Sequence, residues 1–176
     1  MFFKSINIPT GSGRKCNAII NLDDERSIVQ IKNEDTICLV RSIVVAISYH
    51  KNILQEVFKD KLIMEEIKEI NFRKQSLTQI NEDVFSDTEL KYLRQGGEKK
   101  LQTVLAEAFH RIHNIPIKEA SNDFLDLKLI EEKLGHEIQV YNMETRKIYA
   151  GLEKPVKIYL ILSKNHFDVI SKLPAF

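Results

Sequence analysis

The chain has 176 residues, 43% hydrophobic and 29% charged, which fits one globular domain large enough to bury a core without disulfide or metal staples. Its 26 basic and 25 acidic side chains leave a formal charge of +1, which argues against a dedicated nucleic-acid binder. Two cysteines, Cys16 and Cys38, are too few for a disulfide scaffold, and the longest apolar run, residues 43–47, is far too short to span a bilayer. No apolar stretch follows the first four residues, so a reducing, cytoplasmic setting without membrane attachment is expected; there a thiol is either inert core or chemistry.

One domain is expected over 1–176, with residues 1–26 as a loosely packed N-terminal extension containing a glycine-rich turn at 11–15. Residues 27–31 are β-branched and read as a strand, followed by a polar turn over 32–36. From Cys38 the pattern becomes helical. Leu39, Ile43, Ala46 and Ile47 share a face that Val40 and Val44 widen, which predicts a buried helix to about Tyr49. One or two amphipathic helices are expected over 51–72, then a connection with a short helix near 87–93. Gly96-Gly97 breaks the chain before a clear helix carrying Leu101, Leu105, Ala108, Phe109 and Ile112, with Pro116 as its end. A further short helix is capped within 121–126 and stopped by Gly135. Strands are expected over 138–141, 147–150, 156–162 and 167–170. Helices early and strands late predict an α+β fold with a small mixed or mostly antiparallel sheet packed between helices.

Two segments carry residues fit for chemistry. Cys38 follows a turn and opens a helix, where unpaired backbone N–H groups and the helix dipole favour a thiolate and can stabilise an oxyanion. His166 lies at a polar tip between two strands. Asp168, two residues on, falls on the same side of an extended chain, where a carboxylate fixes the tautomer of the ring and stabilises its charge. Each segment alone has an ordinary reading, a core cysteine and a hairpin histidine. His110 and His113 stand three apart on one helix, but no further ligand pair has suitable spacing, so no metal or cofactor is expected.

Taken together, the run Asp35-Thr36-Ile37-Cys38-Leu39-Val40-Arg41-Ser42-Ile43 resembles the nucleophile motif of OTU (ovarian-tumour) cysteine proteases. The run His166-Phe167-Asp168, preceded by an apolar strand, resembles their terminal motif. The resemblance covers about residues 27–172 and is closest to divergent OTU-like segments of Maverick-type mobile elements and invertebrate viruses. It implies a papain-type fold and a thiol isopeptidase or peptidase that removes ubiquitin or a ubiquitin-like modifier. Cys38 is the implied nucleophile, His166 the base and Asp168 its orienter. Asp35 is implied to shape the loop whose N–H groups, at residues 36–38, face the oxyanion. Thr36 and Ile37 stand where the family usually has Gly-Asn, which leaves a second expectation, a catalytically weak or inactive OTU-fold module that binds ubiquitin or another partner. The likeness to mobile-element and viral segments implies a third, a protease that processes a polyprotein.

Overall fold

The computed structural model describes residues 28–32, 35–59, 85–96, 100–117, 124–144 and 146–171. The expected N-terminal extension, Cys16, and the helical and connecting residues expected over 60–84 lie outside the described residues. In chain order the elements are β1 (Ile28–Val29), α1 (Cys38–Ile47), α2 (Lys51–Val57), α3 (Asp87–Leu93), α4 (Lys100–Ile112), α5 (Phe124–Leu134), β2 (Glu137–Asn142), β3 (Lys147–Ala150), β4 (Lys157–Ser163) and β5 (His166–Ile170). This is an α+β architecture, with helices preceding a mixed sheet of order β1-β5-β4-β2-β3. No helix among the described residues is long and apolar enough to cross a membrane.

The sheet is antiparallel except at β2 and β4, which run parallel from Glu137↔Lys157 to Asn142↔Leu162. The chain turns from β2 into the edge strand β3, then crosses back to lay β4 on the other side of β2. One carboxylate secures that crossing. Glu131 on α5 accepts from the Ile138 N–H at 2.8 Å and from the Tyr149 hydroxyl at 3.2 Å. A Cβ at Gly151 would lie 1.4 Å from the Glu131 Oε1, so only glycine lets the carboxylate in.

All ten residues of α1 are buried, as its apolar sequence demands. The helix packs on β5 and β4 and against α4, so Ile43, Val44 and Ile47 join Leu105, Phe109, Leu160, Phe167 and Val169 in one core. Each such side chain, fully buried, stabilises the fold by roughly 1.5–3 kcal/mol before its lost entropy is counted.

Helix ends follow local chemistry. Ser86 and Glu89 form a capping box at the start of α3. At the end of α4 the expected stop, Pro116, is preempted by Asn114. This residue takes a left-handed φ of 51° and closes a Schellman motif, with Ile115 N–H bonded to His110 O at 2.9 Å. Gly135, at φ 71°, ends α5 as its sequence position predicts.

Candidate active site

The hairpin β4–β5 sets the histidine. Ser163 pairs with His166, so only Lys164 and Asn165 make the turn, and both take positive φ, 47° and 75°. That is the conformation a two-residue type I′ turn requires, matching the right-handed twist of the strands. The tip is therefore Lys164-Asn165. His166, expected at the tip, is instead the first residue of β5 and is buried. The period of two along β5 then brings Asp168 beside it, with Nε2 3.4 Å from Oδ1.

Cys38 is the first residue of α1, and the residue before it has no side-chain cap. The first intrahelical bond runs from Arg41 N–H to Ile37 O at 3.0 Å, so the amides of residues 38–40 point out of the helix end without intrahelical acceptors. The Cys38 sulfur is hydrogen-bonded to His166. Burial opposes charge on that ring, but the hydrogen bonds and charges of Asp168 and Cys38 outweigh it and raise the His166 pKa to about 10. Three residues chosen from distant parts of the chain thus meet.

Side chains that the sequence motifs contain, but whose roles they do not announce, hold the meeting point. The Ser42 hydroxyl lies 2.7 Å from Phe167 O and 2.9 Å from Cys38 O, tying one turn of α1 to the strand between His166 and Asp168. Arg41, buried, extends one arm to Thr103 Oγ1 on α4 at 2.6 Å and grips both carboxylate oxygens of Asp35. Asp35 in turn accepts from the Ile37 N–H at 3.2 Å. This corrects one expectation. The Ile37 amide is turned into an Asx-type loop and is not aimed at an oxyanion, which leaves the amides of Thr36 and Cys38 from the expected set.

Ile31 joins the site without any sequence motif pointing to it. Its amide donates to Asp168 Oδ1 at 2.7 Å, and its carbonyl lies 2.5 Å from His166 Nε2. The pairing Val29↔Val169 puts Ile31 opposite Phe167, between the two site residues. Gly96 adjoins this segment: a Cβ there would lie 3.1 Å from Gln30 O. The β-branched run over 27–31 signals the strand, but a backbone contact leaves no mark in side-chain identity.

His50 and His136 lie near each other, and burial, with a smaller contribution from His50, lowers the His136 pKa. His110 Nδ1 meets the Ile115 carbonyl at 3.0 Å, and burial lowers its pKa. Among the described residues no group of three or more His, Cys, Asp or Glu is arranged to hold a metal ion. No family model, curated protein or solved structure matches the chain.

Proposed function

We propose that the chain is a thiol isopeptidase or peptidase of OTU type, acting on ubiquitin or a ubiquitin-like modifier. The observation that supports this reading is the contact of Cys38, at the open end of a buried helix, with an imidazole whose Nε2 faces both Ile31 O and Asp168. Nε2 of His166 is engaged by Asp168 and Ile31, which leaves Nδ1 to take the thiol proton. The thiolate attacks the carbonyl carbon of the scissile bond, and the oxyanion formed receives the N–H groups of Cys38 and Thr36. His166 then returns its proton to the leaving amine, and water hydrolyses the thioester with His166 as base. Asp35 and Arg41 hold the loop that presents those amides. A ubiquitin probe with a reactive C-terminus tests the reading. Wild type is labelled at Cys38 and Cys38→Ala is not; an unlabelled wild type that also cleaves no ubiquitin dimer sinks it.

A second reading is a module of the same fold that binds ubiquitin or another partner without cutting. It is favoured by the burial of the pair, since Cys38 is only 2% exposed and His166 7%. Equal ubiquitin affinity of wild type and Cys38→Ala, with no turnover by either, selects it. Processing of a polyprotein is a third use of the same chemistry, and failure to cut any peptide from its own precursor removes it.

A further inference from the structure

The ring of His166 has two neighbours at Nε2, and they are unequal. The Ile31 carbonyl is the nearer of the two, at 2.5 Å, whereas Asp168 Oδ1 lies at 3.4 Å, near the outer limit of a hydrogen bond. The same Asp168 oxygen is 2.7 Å from the Ile31 amide. The carboxylate therefore makes its better bond to the peptide segment that touches the imidazole, and its weaker one to the imidazole itself. A carbonyl oxygen only accepts, so the nitrogen facing it must carry a proton whatever stands at position 168.

We infer that Ile31 is the principal positioning residue of this site: its carbonyl fixes His166 in the Nε2–H tautomer, and Asp168 acts mainly by anchoring Ile31. This rests on the reading of Cys38 and His166 as nucleophile and base. The arrangement differs from a triad in which the acid orients the ring directly. There, asparagine in place of the acid forces the wrong tautomer and costs about 10⁴ in kcat. Here, in Asp168→Asn, the side-chain amide oxygen would still accept from the Ile31 N–H, and the Ile31 carbonyl would still demand the proton on Nε2. What is lost is a charge, not an orientation. The strand end carrying Ile31 thereby becomes part of the reaction centre, although it contributes no side-chain atom to it.

Three variants in the full chain separate the two arrangements: Asp168→Asn, Asp168→Ala, and an ester in place of the Ile31–Lys32 amide, made with the α-hydroxy analogue of Lys32. The ester weakens the Ile31 carbonyl as an acceptor and leaves every side chain in place. The readouts are the His166 tautomer by nitrogen NMR, recorded above pH 10 where the ring is neutral, and the rate of labelling by the ubiquitin probe against pH. Asp168→Asn is expected to keep Nε2–H, shift the pH profile to lower pH and lose about tenfold in rate, the equivalent of one pKa unit. The ester is expected to lose more than Asp168→Asn and to populate the Nδ1–H form. Asp168→Ala, which releases Ile31, is expected to resemble the ester. An Asp168→Asn protein with Nδ1–H and a loss above about 10³, beside an ester that behaves as wild type, overturns the inference. The NMR readout stands without turnover. An unreactive wild type with the expected tautomers fails the functional reading alone, and a reactive one with the opposite tautomers fails the inference alone.

Discussion

The pair Asp35–Arg41 offers the sharpest quantitative test of how the loop before Cys38 is held. Arg41 is 2% exposed and Asp35 38%, so the two ends of the ion pair stand in different solvents. Asp35→Ala strands a guanidinium in the core, where removal of one partner of a buried pair costs about 3–5 kcal/mol. The partial exposure of Asp35 places the loss at the lower end, near ~3 kcal/mol. Arg41→Met, similar in length, leaves Asp35 free to rehydrate and loses the bond to Thr103, so it costs about 1–2 kcal/mol. The double variant strands nothing and should cost about as much as Arg41→Met alone, a coupling of about 2 kcal/mol or more. Urea unfolding of the four proteins, with unchanged slope, measures it. Single costs that add within about 0.5 kcal/mol would show that the pair is a surface ornament and that the loop is shaped otherwise.

Ser42→Ala removes the hydroxyl shared by Phe167 O and Cys38 O; it should cost about 1–2 kcal/mol in urea and slow probe labelling, and a stable variant labelled at the wild-type rate contradicts the tie. Gly96→Ala presses a methyl against Gln30 O, now 3.1 Å from the ideal Cβ position, and so displaces the neighbouring Ile31. Misplacement on an ångström scale costs up to about 10² in rate, so labelling should fall about tenfold while stability drops by less than about 1 kcal/mol. Lost stability with unchanged labelling would argue that this contact does not reach the site. His166, raised from 6.5 to about 10 by Asp168 and Cys38 against burial, contributes stability that is complete below pH 6.5 and is lost as pH rises through 10. The urea midpoints of wild type and His166→Asn should therefore converge across that window. A gap that stays constant refutes the raised value.

Most elements are legible in the sequence because their residues make local decisions. The apolar run from Cys38 could be satisfied only by burial on all sides, and the strands over 147–150 and near 157–163 follow from short β-branched and aromatic runs, the second apolar enough to be central. The parallel pairing of β2 with β4 is not legible: it depends on where the chain goes after β3, and no side chain states that. Asn114 yields to Pro116 in a reading of the sequence because a left-handed asparagine carries a weaker signal than a proline. At the site, the gathering of Cys38, His166 and Asp168 is expected from two motifs read together. The Ile31 clamp is not, because Ile31 and Asp168 are separated by 137 positions and one partner acts through its backbone. The Ile37 amide escapes sequence reasoning for a related reason: the carboxylate of Asp35, two residues earlier, reaches it first.

The complete burial of α1 has a consequence for how the molecule ages under stress. A reactive thiol on a surface loop can lose its geometry while the rest of the protein stays intact. Here the sulfur is carried by a helix with no solvent face, so any displacement of that helix as a whole belongs to the rarer, more global class of opening. Heat inactivation and loss of the tertiary fold should accordingly trace one curve, and mild denaturant should yield no long-lived species that is folded but unreactive.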